Sequence, residues 1–287
     1  MIVYLVDGVF IIDYKNIIDD DINTDYLSNH TMNTWQSDRS AEDKLSDTLI
    51  GKHAEAAVET ALKVIGISDY HSYDSFRTDN FKEHAPFDGI ICADNCKEIF
   101  DLVNATVKEK GNKLSIEVRK EINRLGGKTV EIKSTRLAQK YKDRVEFTGY
   151  NSAKKIEALI EDLMGLDFLT YPFFTRYGDM TFDQYCWYAE TKHLHTFLRG
   201  EELRKYVANY EKDNSADIYI RVFMDEEGSK ALIMGCIDKD TFYTNPETHK
   251  LILNGKSEVP LYFVKKLKKG LPIVQIHKIL NNKRSNI

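Results

Sequence analysis

The chain has 287 residues, 42% of them apolar and 30% charged, which is enough to build a core and rules out a wholly disordered chain. Its net charge of −5 argues against a protein that coats nucleic acid, and four cysteines do not make a disulfide scaffold. No apolar run approaches the span of a bilayer, and the apolar start Met1 to Val6 is broken by Asp7 without a basic leader, so a strand rather than a signal peptide is expected there and the cytoplasm is the expected location.

Met1 to Asp13 reads as a hairpin, because two β-rich runs flank Asp7-Gly8, a pair suited to a tight turn. The acidic stretch Asp19 to Asp47 reads as loop or irregular helix. Ile50 to Ile65 follows as a helix, with Ala54, Ala57, Val58, Ala61 and Leu62 at helical spacing and Gly66 as a stop. Phe87 to Cys92 reads as a strand behind Pro86. Ile99 to Val107 and Ser115 to Leu125 read as helices, Thr129 to Ile132 as a strand and Lys154 to Met164 as a helix. Beyond these, Tyr185 to Ala189 is β-like and Glu201 to Tyr210 helical. Asp217 to Met224 and Ala231 to Ile237 read as two adjacent strands joined by the turn Asp225 to Gly228. Leu261 to Val264 and Ile273 to His277 are shorter strand candidates, and Asn281 to Ile287 is a frayed tail.

No repeat or low-complexity linker appears, so the expected organisation is one α/β domain over 1–287. Its core would span about 50–136 and 217–240, with an insertion at 137–216 and a basic C-terminal segment at 256–287. Charge is unevenly spread: 128–155 carries a local +5 and 256–287 a local +7, leaving −17 elsewhere. Such a split presents basic surface to a polyanion while repelling it elsewhere, although lysines that merely solvate helices and a tail give the same count.

Four pieces carry the chemistry. Glu55 lies in the first predicted helix. In Pro86-Phe87-Asp88-Gly89 an acid meets a predicted strand. In Val130-Glu131-Ile132-Lys133 an acid and a lysine stand two apart on a strand, and therefore on one face. Ser134-Thr135-Arg136 is polar and basic at that strand's exit. Two carboxylates suffice to fix a hard cation such as Mg²⁺ beside a phosphate, and a lysine within reach stabilises developing charge. The chemistry these parts suit is phosphodiester hydrolysis. A solvated strand face with a surface ion pair is the plain alternative for Glu131 and Lys133.

A helix with Glu, then Pro-x-Asp, then Glu-x-Lys on a strand resembles the PD-(D/E)XK, or restriction-endonuclease-like, nuclease superfamily over about Gly51 to Arg136. The resemblance implies a mixed central β-sheet flanked by helices, a restriction-endonuclease-like core with helical insertions. It implies a metal-dependent nuclease with Glu55, Asp88, Glu131 and Lys133 in the active site. Mg²⁺ (alternatively Mn²⁺) would be held by Asp88, Glu131, Glu55 and the Ile132 carbonyl. The expected activity is endonucleolytic cleavage of double-stranded DNA by a homodimer, as in type II restriction enzymes. A phage or repair and recombination nuclease of the same fold, or a non-catalytic nucleic-acid-binding protein, are the alternatives. The departure from the family pattern is the long gap between Asp88 and Glu131, which holds two predicted helices.

A rival Glu-x-Lys occurs at Glu190-Thr191-Lys192, with Asp179 as its partner at a shorter spacing. Thr129 to Thr135 is preferred for its β-branched flanks and basic followers. Arg136, Lys140, Lys142, Lys155 and Arg176 are the expected DNA contacts. The aromatic run Tyr171 to Tyr188 either stacks on bases or fills core. Cys92-x₃-Cys96 has no second pair to complete a zinc site, and His193-Leu194-His195 reads as a polar loop or DNA-facing edge. No phosphate-binding Gly-x-x-x-x-Gly-Lys loop is present.

Overall fold

The computed structural model describes residues 3–17, 40–79, 85–111, 114–142, 152–170, 200–250 and 261–281. The predicted hairpin forms strands β1 (Val3–Val6) and β2 (Val9–Asp13), with Asp7 and Gly8 both at positive φ in the turn. Helix α1 (Ala41–Val64) starts nine residues before the predicted Ile50. The Ser40 hydroxyl accepts from the Asp43 amide at 3.1 Å, and Glu42 and Asp43 face the positive end of the helix, so the polar sequence that reads as loop supplies a cap and a charged first turn. Strand β3 (Tyr70–Ser72) and a 3₁₀ turn at Tyr73–Phe76 follow, then β4 (Gly89–Cys92).

Next come α2 (Cys96–Lys110) and α3 (Ile116–Arg124). The ends of this excursion are tied together: the Ala93 amide donates to Gly126 O at 3.3 Å and Asn95 Nδ2 to Leu125 O at 3.0 Å. Strand β5 (Gly127–Arg136) runs ten residues, well past the predicted Ile132. Then come the short helix α4 (Gln139–Lys142), α5 (Ser152–Met164), strand β6 (Asp167–Leu169) and helix α6 (Gly200–Asn214). The central hairpin is β7 (Ile218–Asp225) with β8 (Lys230–Asp238); Asp225 Oδ2 accepts the Gly228 amide in its turn. Short α7 (Lys239–Tyr243), β9 (Glu247–Lys250), β10 (Leu261–Lys266) and α8 (His277–Asn281) complete the chain.

Seven strands form one mixed sheet in the order β1-β2-β8-β7-β5-β4-β3, in which β5 and β7 run parallel and every other pair is antiparallel. This is the expected α/β class, a mixed central sheet flanked by helices. A small antiparallel sheet, β6-β10-β9, lies beside it. Helix α1 covers one face of the large sheet, where Ala54, Ala57, Val58, Ala61 and Leu62 meet Val130, Ile132, Ile218, Ile220 and Val222. Helix α5 and the small sheet cover the other face, joining Leu159, Leu163, Phe168 and Phe263 to Tyr219, Phe223 and Leu232. A third cluster packs α2 and α3 around Tyr73, Phe87 and Ile90.

The expected strand Ile273 to His277 is corrected. Pro272 leads into a 3₁₀ turn at Ile273–Gln275 that runs into α8, because Ile273, Ile276 and Ile279 recur every three residues and bury one helical side. The predicted strand Tyr185 to Ala189 lies outside the described residues.

Candidate active site

The 34 residues of excursion do not separate Asp88 from β5. Strands β4 and β5 pair as antiparallel neighbours, Gly89 opposite Val130. The Asp88 amide donates to Val130 O at 2.9 Å, and its own carboxylate accepts the Ile132 amide at 2.6 Å. Asp88 therefore ties itself to the residue that stands between Glu131 and Lys133. Gly89 is required here by close approach: a Cβ would lie 2.5 Å from the Tyr70 ring and hydroxyl.

Alternation along β5 sorts its side chains. Val130 and Ile132 enter the α1 core, so Glu131 and Lys133 turn to the opposite face. Their parallel neighbours on β7 are Tyr219 and Arg221. Glu131 is 3% exposed and ion-pairs with Lys133 Nζ at 2.7 Å; Lys133 is 19% exposed. Arg221, buried over the Phe223 ring, donates to Lys133 O at 3.0 Å and to Thr135 Oγ1 at 2.7 Å. Burial pushes its guanidinium down to about 10. The backbone that presents Lys133 is thus held from the neighbouring strand.

A second group of charges gathers at the α1 side of the same sheet end. Lys52, one turn before Glu55, places Nζ 2.8 Å and 2.9 Å from the two Glu55 oxygens and 2.5 Å from Asp74 Oδ2. Asp74 belongs to the 3₁₀ turn after β3, and Arg77 stands 3.7 Å from its other oxygen. Burial would push Lys52 down, but the Glu55 and Asp74 carboxylates outweigh it and hold the ammonium protonated far above its ordinary range. Burial raises Glu55, against the pull of Lys52 and helped by Asp88 and Asp74. Asp88 is raised too, mainly by burial, while Lys133, the Ile132 amide and Lys52 pull it down. Asp88 thus feels both lysines and links the Glu55 group to the Glu131 group.

The Tyr70 hydroxyl is buried beside these acids, 5% exposed, without a hydrogen-bond partner among the described residues. Burial first, then Glu55 and Asp88, drive its phenol well above the ordinary tyrosine range. It is a donor that one water of a hydrated cation would satisfy. No three His, Cys, Asp or Glu side chains among the described residues are gathered into a cage for a metal. The oxygen donors that are present suit Mg²⁺, which rests on one or two carboxylates and completes its shell with water and phosphate oxygens. Asp88, bonded to the Ile132 amide, and Glu131, the residue before it on β5, are the pair that would hold it.

The basic stretch after β5 is not a bare cationic face. Arg136 pairs with Asp47, donates to Ser46 Oγ at 2.8 Å and reaches Glu226 at 2.8 Å. Lys142 pairs with Glu227 at 2.6 Å, and Lys140 lies over the Tyr141 ring. Lys155 is exposed on α5. Arg176, the aromatic run, the rival group Asp179, Glu190 and Lys192, and His193 and His195 lie outside the described residues. Cys96 Sγ contacts Cys92 O at 3.7 Å, and both thiols are pushed up, mainly by burial. Lys52, Asp74, Tyr70 and Arg221 are site neighbours that the sequence reading passes over. Only the Lys52-x-x-Glu55 spacing, one helical turn, carries a local signal for any of them.

Comparison with protein-family models, with curated proteins and with solved structures finds no match for the chain. Among the described residues no helix is long and apolar enough to cross a membrane.

Proposed function

We propose that the protein is a Mg²⁺-dependent DNA endonuclease resembling the PD-(D/E)XK superfamily, and that it acts as a type II restriction enzyme on duplex DNA, as a homodimer in the cytoplasm. The observation that carries this reading is the Asp88 carboxylate on the Ile132 amide, which puts the Pro-x-Asp acid against the Glu-x-Lys strand. The order of helix α1, strands β4 and β5, helix α5 and a strand β7 parallel to β5 supports it further.

In this reading Asp88 and Glu131 hold the divalent ion. The ion, when bound, supplies Lewis acidity toward the phosphoryl oxygen and lowers the pKa of a nearby water. Lys133 stands beside Glu131 and places a fixed positive charge where the attacking oxygen and the phosphate gather negative charge. Arg221 keeps Lys133 in place through its carbonyl. Glu55 belongs to the flanking charge group rather than to the Glu131 face.

The test is incubation of the pure chain with varied duplex DNA and Mg²⁺, with fragment ends sequenced. Discrete ends that vanish with Glu131→Ala support the reading. Lys133→Ala cutting at the parental rate, or no cleavage of any duplex in Mg²⁺ or Mn²⁺, removes it.

A further inference from the structure

Lys52 is oriented as a cation in a metal-like setting. Three carboxylate oxygens, two from Glu55 and one from Asp74, converge on its Nζ at 2.5–2.9 Å. Cation–oxygen distances for Ca²⁺ are about 2.3–2.6 Å, only a few tenths shorter. The Tyr70 hydroxyl, without a hydrogen-bond partner among the described residues, feels the Glu55 and Asp74 charges, and the Asp88 carboxylate feels Lys52. Lys52 grows from α1, so this cation is covalently installed and needs no binding step.

We propose that Lys52 is a resident cation that fills the place a second divalent ion would take, so that the site works with one exchangeable ion on the Asp88–Glu131 side. The inference rests on the nuclease reading for that first ion. Lys52 is a positioning residue: it holds the Glu55 and Asp74 carboxylates turned inward on its Nζ, and it offsets part of the carboxylate charge that crowds Asp88. The ammonium supplies one positive charge where a divalent ion would supply two. The site then keeps an excess of negative charge, which draws the exchangeable ion to Asp88 and Glu131.

The experiment is Mn²⁺ binding to the full chain, counted by loss of the free-ion electron paramagnetic resonance signal. Lys52→Met should bind one more Mn²⁺ than the parent. Lys52→Arg, which keeps the charge, should gain none. Lys52→Met combined with Asp74→Asn should lose the gain, because one of the two inward acids is gone. Equal stoichiometry in parent and Lys52→Met overturns the proposal. If Lys52→Met unfolds without metal, recovery of its thermal transition in millimolar Mn²⁺ supports the proposal, and a chain that stays unfolded in Mn²⁺ overturns it. The nuclease reading is read separately: Asp88→Asn in the parent background should remove the parent's own ion, whatever Lys52→Met does.

Discussion

Two buried carboxylate sites lie along β5 and behave in opposite ways. At one end, Asp217 accepts the Thr129 amide at 3.0 Å, the Thr129 hydroxyl at 2.9 Å and the Asn123 amide on both oxygens, and it pairs with Lys239 at 2.8 Å. Burial alone would raise it, yet Lys239 and these donors hold it below the usual carboxylate range. At the other end, Glu55 and Asp88 are pushed up, because burial and neighbouring acids outweigh the cations present. Asp217 is 5% exposed and Glu55 16%, so burial alone predicts the opposite order: the more deeply buried acid is the one held down. The difference is in donors: one acid has its full set from the protein, and the other leaves room for charge from outside. That contrast separates an acid whose bonds hold strands together from acids whose charge the surrounding donors leave only partly offset.

The largest expected effect breaks the structural end. Asp217→Ala should cost about 3–5 kcal/mol in urea unfolding, the usual cost of stranding one partner of a buried ion pair. Lys239, Asn123 and the Thr129 amide would all lose their acceptor. Asp217→Asn should cost less, because an amide oxygen still accepts two of those bonds. A native pKa below the unfolded one also fixes the pH sense: the contribution of Asp217 is present above the unfolded value and is lost as acid carries the pH down through the depressed native value. The parent and Asp217→Asn should therefore converge in stability at low pH. Parallel unfolding curves at pH 3 and pH 7 would show that Asp217 is not the anchor.

Next comes the Asp88 end, where the proposed nuclease reading sets the expected outcome. Lys133→Ala should lower cleavage by about 10²–10³ while duplex affinity in a gel shift stays within a few-fold. Asp88→Asn should abolish cleavage with little loss of thermal stability, since it removes a charge that burial disfavours. A Tm loss as large as that of Asp217→Ala would put both acids in one class and dissolve the contrast.

Glu211 on α6 isolates burial from every other cause. Burial alone raises it to about 7. With a native pKa above the unfolded one, the folded chain holds a proton the unfolded chain has given up, so stability should fall as pH rises from roughly 4.5 to about 7 and then level off. Glu211→Gln should remove its share of that slope, since Glu55 and Asp88 are raised as well, and gain at most about 3 kcal/mol at pH 8, the linkage value of such a shift. Equal slopes in parent and variant would show that Glu211 is well solvated.

The smallest effect concerns DNA. In the nuclease reading, Arg136→Gln and Lys142→Gln should each reduce the salt slope of duplex binding by a measurable fraction of about one, less than a full unit because Asp47, Glu226 and Glu227 already engage these cations. The slope is read from binding isotherms at several salt concentrations. A slope unchanged by both substitutions would move the DNA face elsewhere.

Much of this arrangement was legible in the residues. Asp7-Gly8 marked the first turn, and the alanine spacing of α1 marked its buried side. Alternation in Val130 to Lys133 correctly put Val130 and Ile132 in the core and Glu131 with Lys133 on the other side. Local patterns failed where the deciding partner is distant. Strand β3 has three residues, and its place at the sheet edge comes from pairing with β4. Asp74 carries no local mark, because its neighbour Lys52 is 22 residues earlier on another element. Arg221 reads as an interruption in an apolar strand until Lys133 O and Thr135 Oγ1 appear beside it. Ile273 to His277 failed because an apolar run this short fits either period, and only its packing selects the helical one.

The joined ends of the α2–α3 excursion bear on how this chain can be altered. Ala93 with Gly126, and Asn95 with Leu125, close the gap before either helix is counted. Beyond that closure α2 and α3 pack back on the sheet through Ile99 and Ile122 and hold Asp217 through Asn123, but the length of their connection does not set where Asp88 meets β5. Closing a flexible loop costs only about 0.6 kcal/mol more for each doubling of its length. Lengthening the chain between α2 and α3 should therefore leave the charges on β5 at their spacing.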